Sequence, residues 1–552
     1  MKRRDFLEKI PALIAPFLLN GIPIRLLGEN NDLYRLAASN PNSDRVLVLI
    51  QLHGGNDGLN ALIPIDQYSN YYALRSNIAI PQTGNRKYIT LDSNLPSNSQ
   101  VGLHPDMTGM KALYDQGKVA IVQGVAYENL NQSHFRSRDI WFMGGSYNDY
   151  FDSGWAGRYL DKLYPGYPDA YPTTDMPDPL AIEVGDSISL LFHRDTGIPT
   201  SLSIGDPDSF FNLINTTGTT LPTDLSNTNY GNELQYILGI DKESDKYADR
   251  LKTVYDQGSN TASVVYPSTY PLNAPSKYAN NQLTPQLKMI ARLLSGGCKT
   301  RIFLISQSGF DTHAGQVEKG DPSSGAHAAM LYNISSAMKA FQDDLKGLGL
   351  EDRVMSVTFS EFGRRASSNA SYGTDHGTSA PMFVFGKCVK PGVVGTNPDL
   401  SNLDNGNLRM QYDYRQVFTP LIEDWMGATP DAIQATFFNK FIDQKADIVS
   451  CSANPVGIDK TDFVNTRYYL NNCYPNPTSG STTFSFYING VQHVTLNLYD
   501  TLGRKVRTLY EGETGIGLQT IPVDLSALDP GSYVYTLQAG DFKASKSLVV
   551  VR

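Results

Sequence analysis

Cysteine is scarce, with four in 552 residues. That excludes a disulfide-framework fold, and no CxxC or Cys/His spacing marks a structural zinc. Cys298 and Cys388 lie beside apolar runs and read as buried thiols. Cys451 and Cys473 flank a change of composition and are placed to bridge it in an oxidising compartment. Charge is modest at 18% of residues, and the net value of −9 excludes a general nucleic-acid binder, because phosphate contacts need clustered Lys and Arg. No later apolar run reaches the roughly 18 residues of a spanning helix, so no transmembrane segment is expected in the mature chain. No GxGxxG or GxxxxGK(S/T) opens a helix, which removes the nucleotide-cofactor readings.

What is present is ordinary for a folded protein: 41% hydrophobic residues, in a chain too long for one compact core. Tyrosine is frequent at 32 residues, and with abundant Asn, Ser and Thr it suits an extracytoplasmic surface. The start reads as an export signal over residues 1–28. Lys2, Arg3 and Arg4 precede a moderately apolar stretch, Ile10–Leu19, too short to span a bilayer. The RRDFL run is twin-arginine-like; an ordinary secretory or lipid-anchored leader is the other reading.

Apolar runs at Arg45–Leu52, Lys118–Tyr127, Lys299–Ser306, Arg353–Ser360 and Ala380–Gly386 have the pattern of strands covered on both faces. Between them, Asp106–Gln116, Gln282–Leu294 and Tyr414–Gly427 read as helices, the last carrying Pro420. The clearest helix places Leu331, Ile334, Met338, Phe341, Leu345 and Leu348 on one face. Residues 144–278 are rich in Tyr, Pro, Asn, Asp and Ser and read mainly as insertions and loops framing a cleft, with short elements such as Leu180–Val184 inside. The alternation predicts a doubly wound, mostly parallel α/β sheet over 40–450. A linker at 451–466 follows, and then alternating strands over 467–552 that predict a small all-β sandwich.

Five polar clusters adjoin the strands: HGGNDGLN (53–60), NQSHFRSRD (131–139), GFDTHAGQ (309–316), SEFGRR (360–365) and GTDHGTSAP (373–381). In such sheets ligands bind beyond the strand carboxyl ends, so the clusters are expected to share one crevice. Asp57, among glycines after a buried strand, suits metal coordination or a helix N-cap. Asp311 and His313, two apart, offer one ion a hard oxygen and an imidazole, or else form a loop turn beside a surface histidine. Ser133 is a candidate nucleophile or a cap for the next helix. Arg136 and Arg138 are anion holders or salt-bridge partners. His104 and His327 read as structural.

The final segment resembles the C-terminal sorting domain of the type IX secretion system. The match rests on Tyr474-Pro475-Asn476-Pro477, the run Tyr499–Arg504, and Pro530–Tyr535. This implies handling by that machinery, then delivery to the outer-membrane surface or beyond. The large domain resembles the domain-of-unknown-function-1501 family, related to alkaline phosphatases and sulfatases. That rests on GGNDGLN, SHFRSRDIW, GWAGRYLD, GFDTHAGQ, and SEFGRR through TDHGTSAP, over about residues 45–429.

The resemblance implies a divalent metal site (zinc, calcium or magnesium, one or two ions) drawn from Asp57, Asp311, His313, Glu361, Asp375 and His376, with Asp375 also a candidate to orient a ligand. It implies a catalytic set of Ser133, His134, Arg136 and Glu361, with Glu361 a ligand or general base. Two departures matter: Glu361-Phe362 stands where the superfamily carries Asp-His, and no C/S-x-P-x-R modification motif surrounds Ser133. The function implied is an exported metal-dependent hydrolase of phosphate or sulfate esters, acting on an extracellular ester or polysaccharide. Two alternatives stay open: a surface protein that binds a glycan or envelope component without cleaving, and a component of the secretion or motility machinery.

Overall fold

The computed structural model describes residues 18–19, 22–23, 44–185, 188–195, 198–205, 246–451, 469–470, 473, 475–488, 491–500, 503–515, 517–540 and 542–551. Apart from Leu18–Leu19, Ile22–Pro23 and Cys451, the export signal at 1–28 and the linker at 451–466 lie outside them. The chain divides into two compact units, Ser39–Asn454, and Pro455–Arg552 with Met1–Ala38.

In the larger unit, the main-sheet strands are β1 Val46–His53, β2 Val119–Ala126, β3 Ala181–Val184, β4 Ser201–Ile204, β5 Ile302–Ser308, β6 Val354–Phe359, β7 Ala380–Phe385, β8 Gly392–Val394 and β9 Tyr412–Asp413. Their order is β8-β2-β7-β6-β1-β5-β3-β4, with β9 also on β2. Period-two geometry explains the continuous apolarity of β1. Val46, Val48, Ile50 and Leu52 enter one core, while Leu47 and Leu49 enter the other. The first core lies under helices α5 Leu283–Ser295 and α6 Ala326–Gly347; the second lies under α3 His134–Met143, α4 Trp155–Leu163 and α7 Tyr414–Pro420. With α1 Tyr68–Arg75 and α2 Thr108–Asp115 added, this is a mixed, mostly parallel α/β layered unit. Each fully buried Leu, Ile or Val in these layers contributes about 1.5–3 kcal/mol of transfer free energy before entropy is subtracted.

Strand direction places the loops. β5 and β6 both run parallel to β1, with Ser308 opposite His53 and Phe359 opposite Gln51. Their carboxyl ends therefore lie side by side. β7 is antiparallel to β6 and to β2, so its amino end, and the TDHG run before it, comes to that same edge with the carboxyl end of β2.

Three local expectations change. Asn131–Asp139 is not all loop, since α3 begins at His134. Within 144–278, the short element at Leu180–Val184 becomes β3 of the main sheet, and β4, which was not expected, extends the sheet by a second parallel strand. Beyond Pro420, α7 loosens into a π-helical turn, Leu421–Trp425, and it is not the last helix of the unit, since another follows at Pro430–Thr436.

The cysteine pairing changes too. Cys388 and Cys451 form a disulfide, and Cys298 and Cys473 are free and buried. Val389 and Val449 make an antiparallel bridge, and Ser450 N donates to Cys388 O at 2.8 Å, which sets Cys451 beside Cys388. The crosslink spans 63 residues. Replacing both cysteines by serine is expected to cost about 2–4 kcal/mol of stability. An unchanged thermal midpoint in that variant would show the crosslink to be dispensable.

The named strands of the C-terminal unit pair antiparallel, with one parallel bridge between Thr478 and Val550. Strands β10 Ser481–Ile488 and β13 Gly517–Asp524 pair with each other, and Tyr469–Leu470 joins β10. The second sheet is β12 Lys505–Thr514, β11 Gln492–Asp500, β14 Gly531–Ala539 and β15 Phe542–Val550. Alternate residues face inward, including Phe484, Phe486, Leu496, Leu498, Tyr535 and Leu537, as a two-sheet sandwich requires.

Candidate metal centre

The strand-end loops pack without room for side chains. Gly54 has φ +122°, and a Cβ there would sit 2.2 Å from the Asp311 amide nitrogen. A Cβ at Gly373 would lie 2.4 Å from the carbonyl oxygens of Thr312 and His313. One buried cation laces the loops together. Arg364 donates to the Gly55 carbonyl at 2.8 Å, to Thr374 O at 2.9 Å, to Phe310 O at 3.0 Å and also to Gly54 O. Its Nη2 also meets Asp311 Oδ1 at 2.8 Å, which aims that carboxylate.

Around Asp311 three imidazoles gather. Its Oδ1 is 3.6 Å from His134 Nε2, 3.2 Å from His313 Nε2 and 3.4 Å from His376 Nε2. His313 Nε2 and His376 Nε2 are 2.9 Å apart. Among the described residues, His134, Asp311 and His376 form a group whose ligand atoms all lie within 4.8 Å of one another, a group able to hold a metal ion. His134 Nε2 is buried without a hydrogen-bond partner among those residues, as an atom that awaits a ligand would be. Burial opposes charge on Asp311, but the Arg364 hydrogen bond and charge, helped by His313 and His134, hold its carboxyl below the ordinary value. It is thus ionised wherever a cation would bind.

The other expected site residues divide. Asp375 stands behind His313, with Oδ1 3.3 Å from its Nδ1. Glu361 is buried and stands behind His134 in the same way: Oε1 lies 2.8 Å from Nδ1 and accepts the Gly54 amide at 2.8 Å. Burial works against its charge, yet the His134 hydrogen bond, the His53 charge and the Gly54 amide outweigh it and lower its pKa. Glu361 therefore braces an imidazole of the cluster instead of joining it.

Asp57 lies outside the cluster. It is 1% exposed, and Arg75 Nη1 bonds both its oxygens at 2.7 and 2.8 Å, while Gln316 Nε2 takes Oδ2 at 2.6 Å. In place of the ion expected there, a guanidinium neutralises it, and it makes no side-chain cap to the short helix that follows. Arg136 turns away from the cluster, stacking over Tyr150 at 3.7 Å and donating to the carbonyls of Tyr147 and Asp149. Arg138 lies by Phe135, 5.8 Å from its ring centroid.

Ser133 is exposed at the N-cap of α3, and its side chain makes no capping bond. Its neighbours tie it to the cluster. His134 belongs to the cluster, and the Gln132 carbonyl lies 2.9 Å from His376 Nδ1. Buried His104 and His327 fit structural roles; desolvation pushes His327 down to about 4, and its Nε2 meets Asn56 Oδ1 at 3.1 Å.

Sequence reasoning missed Arg75, Arg364 and the Gln132 carbonyl. Arg364 sits inside a run already singled out, but only its burial shows that it clamps four segments. Arg75 lies in a helix, YSNYYALR, with no local sign of a partner.

Residues 259–436 match the family described as "Protein of unknown function (DUF1501)", and residues 472–551 match the "Secretion system C-terminal sorting domain". A comparison with curated proteins finds no match. Among solved structures, the chain is similar to the PsFucS1 sulfatase from Pseudoalteromonas sp., at 10% identity and TM-score 0.28, covering 88% of this chain and 87% of that one. It is similar to a protein in the alkaline phosphatase superfamily from Vibrio parahaemolyticus, at 9% identity and TM-score 0.29, covering 84% and 86%. A third is alkaline phosphatase from the Antarctic bacterium TAB5, at 11% identity and TM-score 0.25, covering 62% and 92%. The chain thus joins a segment that matches the DUF1501 family model, at 259–436, to one that matches the secretion-system sorting domain, at 472–551.

Proposed function

We propose that this chain is an exported metal-dependent hydrolase of phosphate or sulfate esters, working at the cluster of His134, Asp311, His313 and His376. The observation that carries this reading is the convergence of three imidazoles on one ionised carboxylate beside an exposed serine. A divalent ion held there supplies Lewis-acid polarisation of the ester and neutralises its charge. Ser133, unencumbered by a cap bond and next in sequence to His134, would supply the attacking hydroxyl: its oxygen bonds to phosphorus or sulfur as the bond to the ester oxygen breaks, the alcohol leaves with the hydroxyl proton, and water then releases the phosphate or sulfate and restores the serine. The amide groups in the first turn of α3 favour an anionic ester beside it. Glu361 and Asp375 keep His134 and His313 in place during turnover.

The residue boundaries proposed for this protein are an export signal at 1–28, the α/β domain at 40–450, a linker at 451–466 and the sorting domain at 467–552. The sorting domain would hand the folded enzyme to the type IX machinery for display on the outer surface or release. No helix among the described residues is long and apolar enough to cross a membrane. A second reading, a surface protein that binds an envelope component or glycan without cleaving, draws on the orientation of Arg136, whose guanidinium is spent on Tyr150 and two carbonyls.

Turnover of aryl phosphate and aryl sulfate by the purified protein, before and after chelation, tests the choice. Hydrolysis that is lost on chelation, returns with metal, and is absent from His376→Ala is the expected result. A folded, metal-loaded protein inert toward both esters would favour the binder.

A further inference from the structure

Each imidazole of the cluster has its Nδ1 against an oxygen. His134 Nδ1 is 2.8 Å from Glu361 Oε1, His313 Nδ1 is 3.3 Å from Asp375 Oδ1, and His376 Nδ1 is 2.9 Å from the Gln132 carbonyl. Carboxylates and carbonyls only accept, so in each neutral ring the proton sits on Nδ1 and the lone pair on Nε2. All three Nε2 atoms face Asp311 Oδ1, at 3.2–3.6 Å. With the protons so placed, nothing positive separates the His313 and His376 lone pairs across their 2.9 Å. Four Lewis bases directed at one another repel, and Arg364, bonded to Asp311 Oδ1 at 2.8 Å, offsets the carboxylate but not the imidazole lone pairs. The buried, unpartnered His134 Nε2 points to the same need for a cation.

We infer that His134, Asp311, His313 and His376 ligate a single zinc-class transition-metal ion, with Glu361, Asp375 and the Gln132 carbonyl orienting the three rings. This rests on the metal-dependent reading above and narrows it: one ion rather than two, neither calcium nor magnesium, and His134 a ligand rather than an acid or base. Donor chemistry decides the ion. Calcium takes 6–8 oxygens and magnesium near-octahedral oxygens, whereas zinc is at home with imidazole nitrogen and one carboxylate oxygen in a tetrahedron. Bonds of about 2.0–2.1 Å give tetrahedral edges of about 3.3 Å. The three distances to Asp311 Oδ1 and the His313–His376 separation, 2.9–3.6 Å, bracket that edge. His134, Asp311 and His376 form the tight trio, and half-exposed His313, outside that group but 3.2 Å from Asp311 Oδ1, must swing toward His134 to complete four ligands. Asp57 is left out because Arg75 and Gln316 engage both its oxygens, and Glu361 because its Oε1 already serves the His134 ring and the Gly54 amide; Asp311 carries one guanidinium bond, from Arg364.

The test uses the full chain stripped of metal and reloaded separately with zinc, cobalt, calcium and magnesium. Bound equivalents are read by calorimetry and elemental analysis, and cobalt geometry by visible absorption. One equivalent of zinc, an intense tetrahedral cobalt spectrum and no displacement by millimolar calcium or magnesium are expected. His134→Ala and His313→Ala should each weaken zinc by at least about 100-fold, and Glu361→Gln by about 10–100-fold as an outer partner. Because His313 is half-exposed, its variant reports on the site even if His134→Ala folds poorly. Two equivalents of zinc, tighter calcium or magnesium, or wild-type zinc affinity in a folded His134→Ala would overturn the assignment. One zinc lost in both variants without ester turnover would uphold it and sink the hydrolase reading. Magnesium-supported turnover in His134→Ala would do the reverse.

Discussion

Replacing Arg75 by leucine is expected to destabilise the Ser39–Asn454 unit by about 3–5 kcal/mol, the range for stripping one partner from a buried ion pair. Arg75 is wholly buried. Besides Asp57, its guanidinium reaches Asn60 Oδ1 at 3.1 Å, Ala366 O at 2.8 Å and Arg365 O at 2.6 Å. The leucine would leave an ionised Asp57 and two carbonyls without their donor, in surroundings that cannot solvate them. Removing both charges, as Asp57→Asn with Arg75→Met, should recover part of the loss, because no bare charge then remains. The acid limb adds a second readout. Burial pushes the Asp57 carboxyl up, but the Arg75 charge, aided by His327 and the Arg75 and Gln316 hydrogen bonds, brings it below its ordinary value. A carboxyl depressed in the folded state stabilises fully above its unfolded pKa of about 4, and that contribution drains away as pH falls through the depressed value. Denaturant midpoints from pH 7 down to pH 2 should therefore converge for wild type and Arg75→Leu. Parallel curves, or a neutral substitution at pH 7, would mean that the pair carries no such weight.

Ser133→Ala is expected to cut ester turnover by at least about 10³-fold while leaving bound metal and thermal midpoint unchanged. The pairing of those readouts is what discriminates. An exposed hydroxyl with no capping bond has little to lose on truncation, so stability should move by less than about 0.5 kcal/mol. Were Ser133 instead the cap of α3, the same change would cost about 0.5–2 kcal/mol and spare any activity. Loss of stability with retained turnover would thus remove Ser133 from the chemistry.

Much of the candidate site was legible because the sheet architecture is. Runs such as VLVLIQL, apolar at every position but Gln51, fit a strand covered on both faces, and the polar run after each such strand has to emerge at an edge. Asp311, His313 and His376 were readable on those terms, as was the two-sheet sandwich from its alternation. The role of Asp57 was not. Its local setting, a carboxylate among glycines, is the same whether a metal or an arginine arrives from elsewhere in the fold. Glu361 and His134 likewise exchanged standing through a single contact of 2.8 Å between residues 227 apart in sequence. The cysteine pairing hinged on an antiparallel bridge at Val389 and Val449 that no spacing rule contains.

By itself, then, the order of residues determined the strands, the main amphipathic helix, the sandwich at the C-terminal end and the supply of ligating side chains, since each depends on periodicities and chemistry local to a few turns of chain. Only the tertiary structure decided which of those side chains meet. Register and strand direction, set by the whole sheet, brought His134, Asp311, His313 and His376 to one point and gave Asp57 to Arg75. The physical reason is that hydrogen bonds and ligand bonds to a metal act only over about 2–3 Å, whereas the partners here are separated by up to 242 positions between His134 and His376.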